Sequence, residues 1–327
     1  MAETRNFRNA PWAGVGNHVD NAVNGDIVAS MQSAGLDWQV GLADLVTVAE
    51  AQRVVDTEPA FSKVEPNIVE RAVVRQDNGN VLGVVGPRWH PLQNAKMFEW
   101  FQPFLDQGVC SIHSAGSFYG GRKVWVLAEM SDNPVEIVPG DEIAPYMMMS
   151  NGHDGKMSVR VGFTFVRIFC ANCLQMAHNS KMSTLLRVRH TSQVEITVER
   201  IQDIVDTARR DFAATAEQYQ FLASRGINSI DLRKYVKVIL GCEKVADEDL
   251  KTRTQNKIEQ VIGLVEAGRG NSAARVRGTW WAAYNGVTEY LNHRAGRNAN
   301  NRLNSLWLGQ NENVNTLALE KAVEMAA

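Results

Sequence analysis

Two cysteines and a histidine in the segment "RIFCANCLQMAH" (residues 167–178) have a spacing that could serve metal binding or redox chemistry. Cys170 and Cys173 are three residues apart, and a structural zinc site usually needs two such pairs. The sequence holds no second pair, and the remaining candidates occur singly: Cys110, His178, His190 and Cys242. A redox pair would need a strand that leads into a helix N-terminus, where the thiol pKa falls.

A third interpretation makes this segment a structural junction between a strand and a helix. The β-rich run "VGFTFVRIF" precedes it, and "CLQMAHNS" is compatible with a helix. Asn172 or Cys170 would then begin the helix, with Asn172 capping it and the thiols packed as small hydrophobic groups. We favour this interpretation. The missing second ligand pair argues against zinc, so we predict no metal site. Hairpins rather than βαβ units surround the segment, which argues against a redox pair.

Recognised catalytic motifs are absent from the sequence, which has no Walker A loop, GxSxG elbow, HExxH helix or Rossmann glycine pattern. The segment "NGHDG" places His153 beside Asp154, but its residue types favour a turn. We therefore predict no catalytic residue and no cofactor. The alternative is an enzyme of an unrecognised type, whose candidate groups would be His153, Asp154, Cys170 and His178.

Local charge is more informative than the net charge of −2. Residues 156–190 contain no Asp or Glu, and residues 268–302 contain only Glu289. Basic side chains follow phosphates along a nucleic-acid strand, so acid-poor segments of this kind can present a binding face. The predicted nucleic-acid-binding residues are Lys156, Arg160, Arg167, Lys181, Arg187, Arg189, Arg275 and Arg277.

The composition excludes several other classes of protein. The chain has 327 residues, of which 45% are hydrophobic and 21% charged, as in ordinary globular proteins. No apolar run reaches the length of about 18 residues that a membrane span needs, and the N-terminal residues lack the apolar core of a signal peptide. Four cysteines do not form a disulfide framework in so long a chain. We expect a reduced, cytoplasmic protein with no membrane partner.

Turn and strand signals predict how these residues are positioned. Three β-hairpins are expected, with turns at Asp77-Asn78-Gly79, at Gly120-Gly121 and at residues 151–155. One helix is expected from about Ala95 to Leu105, and a short earlier helix ends at Gly35. Consecutive hairpins imply an antiparallel sheet with packed helices.

The C-terminal part of the chain has helical periodicity. One apolar stripe runs from Ile201 to Leu222, a second from Leu250 to Val265 and a third from Trp280 to Leu291. The aromatic residues of the third stripe have core spacing, although exposed ones would stack bases. The sequence therefore predicts an α+β protein in three parts: an N-terminal arm with a short helix (1–40), an α+β core with three hairpins (41–192) and a helical region (193–327).

Several blocks of the sequence resemble one family in order along the chain. "PWAGVG" (11–16) is similar to a Pro-Trp-His-Gly-Leu-Gly signature, and "VRIFCANCL" (166–174) to an Arg-x-x-Cys-x-Asn-Thr-Leu element. Further blocks are "AGLDWQV" (34–40), "GTWWAAYNGVTEYLNH" (278–293) and "NRLNSLWLG" (301–309). The chain thus resembles the phage/plasmid-like proteins built on a domain of unknown function.

The resemblance implies an origin in a bacteriophage or other mobile element, without implying a reaction or a cofactor. The sequence has Ala13 where the family has His, and Cys173 where it has Thr. The second departure argues against a shared metal site and leaves Cys170 and Asn172 as a structural junction. The order of hairpins and helices also resembles that of phage single-strand annealing proteins, which bind DNA in a basic groove.

These observations predict a function in recombination or replication. We expect a protein that binds and anneals single-stranded DNA, self-associates into a ring or filament and acts in the host bacterial cytoplasm. The alternative is a non-catalytic phage accessory protein that binds a host protein, for example to inhibit a defence system.

Overall fold

The computed structural model describes residues 10–19, 25–45, 70–168, 170–176, 186–192 and 198–327. The strands are β1 (Gly16–His18), β2 (Val40–Asp44), β3 (Arg71–Arg75), β4 (Val81–Val85), β5 (Cys110–Phe118), β6 (Lys123–Met130), β7 (Val135–Val138), β8 (Asp141–Gly152), β9 (Val159–Arg167), β10 (Asn172–Met176) and β11 (Leu186–Val188). The helices are α1 (Ile27–Ser33), α2 (Asn94–Glu99), α3 (Gln102–Asp106), α4 (Val198–Ser224), α5 (Ser229–Ile239), α6 (Thr252–Ala267), α7 (Trp280–Glu289), α8 (Ala299–Leu308) and α9 (Gln310–Ala326). The predicted α+β class is confirmed.

Two antiparallel sheets form the β part of the molecule. The main sheet has the order β1-β5-β6-β8-β9-β10, with β11 beside β9 and β7 beside β8. The small sheet has the order β2-β3-β4. All three predicted hairpins are confirmed as β3–β4, β5–β6 and β8–β9. Part of the predicted N-terminal arm also belongs to the main sheet, because β1 pairs with β5.

Both faces of the main sheet are buried, which makes it the middle layer of the molecule. Along β8, Met147 and Met149 pack on the side of the small sheet, α2 and α3. Tyr146 and Met148 pack on the other side, against the C-terminal helices. A strand covered on both faces carries a continuous apolar run rather than an alternating one, and the "YMMM" segment has that pattern.

The helix predicted from Ala95 to Leu105 is in fact two short helices. Pro103 lies in the first turn of α3, where its missing N–H has no partner to lose. A single continuous helix would need an N–H at this position to bond the carbonyl of Glu99. The chain therefore breaks near Trp100, and this feature of the prediction was wrong.

The C-terminal helices pack around α7. Trp280, Tyr284, Val287 and Leu291 are all buried, so the predicted core position of the aromatic stripe is confirmed. The Trp307 ring of α8 lies 4.9 Å from the Trp125 ring of β6, which ties the helical layer to the sheet. None of the helices in the described ranges combines the length and the apolar character needed to cross a membrane.

The helix predicted to begin at Cys170 or Asn172 is not present, and the chain forms strand β10 instead. Asn172 pairs with Arg167 and Cys173 with Val166 of β9. Asn292 fixes this arrangement, because its side chain accepts a hydrogen bond from Cys173 N (3.2 Å) and donates one to Cys173 O (3.0 Å). Pairing with β9 and the long-range side-chain contact from Asn292 therefore override the local helical pattern.

Candidate nucleic-acid interface

Five basic side chains gather at one end of the main sheet, where the β5–β6 and β8–β9 turns and strand β11 meet. Arg160 lies directly opposite Arg187 in the β9–β11 pair and opposite Ser150 in the β8–β9 pair. The two turns are joined by a hydrogen bond from His153 N to Arg122 O (2.8 Å). We call this group the rim cluster: Arg122, Lys123, Lys156, Arg160 and Arg187.

An open groove of about 370 Å³ adjoins the rim cluster. Arg122 and Lys156 line it together with Asp154 and residues 81–84 of the small sheet. Gly83 allows the two layers to meet here, because a Cβ at this position would lie 2.6 Å from the backbone of Asp154. The two basic side chains thus line the seam between the small sheet and the main sheet.

The positive charges of the rim cluster repel one another. Burial lowers the pKa of Lys123, and Arg160 and Lys156 lower it further, while Asp154 opposes them. Burial also lowers the pKa of Arg160, Arg187 adds to this effect and Glu312 opposes it. Such repulsion is relieved when an anion binds between the cations, so the cluster is suited to a polyanionic ligand.

Two asparagines of α8 hold residues of the β5–β6 turn in place. Lys123 Nζ donates to Asn304 Oδ1 (2.9 Å), and Tyr119 OH donates to Asn301 Oδ1 (2.9 Å). Tyr119 is 42% exposed and has a backbone φ of +53°, which a residue with a Cβ seldom adopts. Strained conformations of this kind concentrate at functional sites, and this one presents an aromatic ring beside the rim cluster.

Glu312 of α9 lies under the basic pair Arg160 and Arg187. Burial raises the pKa of Glu312 to about 7, although attraction to the two arginines lowers it. Its Oε1 makes no hydrogen bond to any described residue. The charge beneath the rim cluster therefore changes near neutral pH.

Arg167, one of the predicted phosphate contacts, is buried instead. Only 1% of its surface is exposed, and its guanidinium binds both carboxylate oxygens of Asp141 at 2.7 and 2.6 Å. It also donates to the carbonyls of Arg269 and Gly270, at 3.1 and 3.2 Å. With these bonds made, Arg167 does not fit the predicted role and is a structural residue.

The other predicted basic residues differ in position. Lys156, Arg160 and Arg187 are brought together in the rim cluster, and exposed Arg189 follows β11 directly. Arg275 and Arg277 are exposed in the α6–α7 connection, which packs on the α4–α5 connection through Ile227 N and Gly278 O (2.9 Å). Lys181 lies outside the described residues.

The side chains considered for metal, redox or enzyme chemistry are not brought together in one site among the described residues. His153 and Cys170 follow opposite ends of the β8–β9 unit, and His178 lies outside the described residues. Burial lowers the pKa of His153 to about 3 and raises that of Cys173 to about 12, so the imidazole is neutral and the thiol unreactive. Within the described ranges, no three His, Cys, Asp or Glu side chains are grouped as metal ligands.

The sequence interpretation missed Tyr119, Arg122, Lys123 and Glu312. The pair Arg122-Lys123 follows the predicted Gly-Gly turn and could have been singled out, because a hairpin tip is exposed. Glu312 carried no local signal, since its two arginine neighbours are more than 100 residues away in the sequence.

Comparison with known proteins identifies a family without giving a function. A protein-family model described as "Domain of unknown function (DUF932)" matches residues 81–307. No curated protein and no solved structure matches the chain. The matched region covers more than half of the sequence and contains the main sheet from β5 onward, the rim cluster and α4 to α8. The chain therefore belongs to the DUF932 family.

Proposed function

We propose that the protein binds single-stranded nucleic acid along the rim cluster. The observation that carries this proposal is the convergence of five basic side chains from three separate segments. Burial lowers the pKa of Lys123 and Arg160, and the neighbouring cations lower it further. Phosphates spaced along a strand would neutralise these charges, and binding would depend on backbone charge rather than on base sequence. No covalent change in the ligand is required.

Tyr119 supports a single strand rather than a duplex as the ligand. An exposed aromatic ring beside a basic surface stacks on an unpaired base, and bases inside a duplex are not available for this. The hydrogen bond to Asn301 holds the ring in place from the far side of the turn. The buried tryptophans of α7 take no part in the proposed contact.

The biological setting is part of the same proposal. We propose that the protein serves a bacteriophage or plasmid in the host cytoplasm, as a ring or filament that promotes annealing during recombination or replication. The sequence resemblance to phage/plasmid-like proteins supports this setting. Size-exclusion chromatography and electron microscopy with and without single strands test the assembly.

Binding of a labelled oligothymidylate across a series of salt concentrations tests the proposed contact. Neutralising five phosphates should give a slope of about −3.5 for log K against log salt, at about −0.7 per contact with a single strand. A matched duplex should bind more weakly, because it offers no base to Tyr119. Absence of single-strand binding at low salt would contradict the proposal.

A further inference from the structure

The β9–β10 turn meets an unusual helical turn at the end of α7. Residues Tyr290–Arg294 form a π-helical turn, and Ala171 has a backbone φ of +55°. The two features are joined by a hydrogen bond between His293 Nε2 and Asn172 Oδ1 (2.8 Å). π-turns and strained non-glycine residues are both uncommon and are frequent at functional sites.

The π-turn is held rigidly. Asn292 bonds both backbone groups of Cys173 and also donates to the carbonyl of Thr288 (2.8 Å). Rigid backbone of this kind can hold the side chains of a binding site in a more precise geometry than a loop can. The neighbouring residues therefore have a fixed support.

Three arginines lie close enough to His293 for their charges to act on it. Burial, together with the positive charges of Arg269, Arg302 and Arg294, lowers the pKa of this imidazole to about 4. Burial also lowers the pKa of Arg302, and Arg294 adds to the effect. The carboxylate of Glu289 accepts a hydrogen bond from Arg269 N (2.8 Å). Within the described part of the chain, Arg294 and Arg302 each lack an ion pair.

A buried donor lies in the same place. Asn172 is fully buried, and its Nδ2 has no hydrogen-bond partner among the described residues. An unpaired buried donor is costly and calls for an explanation such as an absent ligand. The chain after the π-turn folds back closely on the start of α8, because a Cβ on Gly296 would lie 3.4 Å from the Cα of Arg302.

We propose that Arg294, Arg302, His293 and Asn172 form a phosphate-binding site, which we call the π-turn site. Two planar guanidinium groups supply paired donors that match phosphate oxygens, and Asn172 Nδ2 adds a donor without charge. The neutral His293 uses its one N–H on Asn172 Oδ1 and so holds the amide in position. The ligand is the phosphate of a free phosphomonoester or of a nucleic-acid backbone. The site does not depend on the rim cluster: Asn301 and Asn304 of α8 contact the β5–β6 turn, while Arg302 of the same helix approaches Arg294.

Titrations with 5′-dTMP and with a labelled oligothymidylate test the π-turn site. The variants are R294Q/R302Q, the rim variant R160Q/R187Q and the matched control R210Q, whose arginine is exposed on α4. If the ligand is a free phosphomonoester, R294Q/R302Q should weaken dTMP binding at least about tenfold. The rim variant and R210Q should then bind dTMP like wild type. If the phosphate belongs to a strand, wild type ignores dTMP and R294Q/R302Q weakens oligothymidylate binding.

A folded R294Q/R302Q protein that binds both ligands like wild type would overturn the proposal. If R160Q/R187Q is the only variant that fails to bind oligothymidylate, that result tests the rim cluster and not the π-turn site. If R294Q/R302Q does not fold, arginine modification of the wild type by phenylglyoxal replaces it. Inorganic phosphate should protect Arg294 and Arg302 but not Arg210, and equal modification of all three would overturn the proposal.

Discussion

The two ends of strand β9 carry arginines that look alike in the sequence and have opposite surroundings in the fold. Arg160 lies in the rim cluster, facing Arg187, with Glu312 beneath them. Arg167, about 23 Å away at about 3.3 Å per residue, is buried in a bidentate ion pair with Asp141. Within the described residues Arg160 makes no bidentate ion pair, although Glu312 attracts it, so it can still contact an anion outside the protein. The fully paired Arg167 stabilises the fold instead.

The largest expected effect is on stability, at the Arg167 end. Replacing Arg167 by Gln leaves the Asp141 carboxylate buried without its counter-ion, which should lower the free energy of unfolding by about 3–5 kcal/mol. Urea unfolding measures this loss, with Arg187→Gln as the control, because exposed substitutions usually change stability by less than about 0.5 kcal/mol. Equal effects of the two substitutions would remove the distinction between the two ends of β9.

The same contrast shows how far the sequence could predict the structure. The hairpins were predictable because glycine turns at residues 79 and 120–121 act locally. The burial of Arg167 was not, because its partners Asp141 and Asn271 lie 26 and 104 residues away. β10 was mistaken for a helix for the same reason, since Asn292 fixes it from 119 residues away. The acid-poor segment did indicate part of the rim cluster, but not the residues that other segments add.

The second prediction concerns pH at the Arg160 end. The pKa of Glu312 rises from 4.5 to about 7 on folding, so the folded state binds more protons between these values. Stability should therefore fall as pH rises from about 4.5 to 7, by no more than about 3 kcal/mol at 1.36 kcal/mol per unit. Glu312→Gln should remove this dependence in unfolding measurements from pH 5 to pH 8.

The charge of Glu312 should also affect binding. Deprotonation adds a negative charge beneath Arg160 and Arg187, so wild-type affinity for a single strand should fall between pH 6 and pH 8. Glu312→Gln should bind equally at both values, and an unchanged pH dependence in the variant would show that another group is responsible.

The third prediction separates stacking from charge within the interface. Tyr119→Ala removes the exposed ring and should weaken single-strand binding by about 1–3 kcal/mol, with no change in the salt slope. Tyr119→Phe keeps the ring and loses only the hydrogen bond to Asn301, so its affinity should stay near wild type. A phenylalanine variant as weak as the alanine variant would argue against stacking.

The most direct test of the proposed interface is the salt slope of single-strand binding in the double variant Lys156→Gln/Arg187→Gln. Both side chains are exposed, so the fold should be retained. Two lost phosphate contacts should make the slope less steep by about 1.4. The matched double variant Lys244→Gln/Lys251→Gln, exposed between α5 and α6, should keep the wild-type slope. Equal slopes for both variants and wild type would contradict a nucleic-acid interface at the rim cluster.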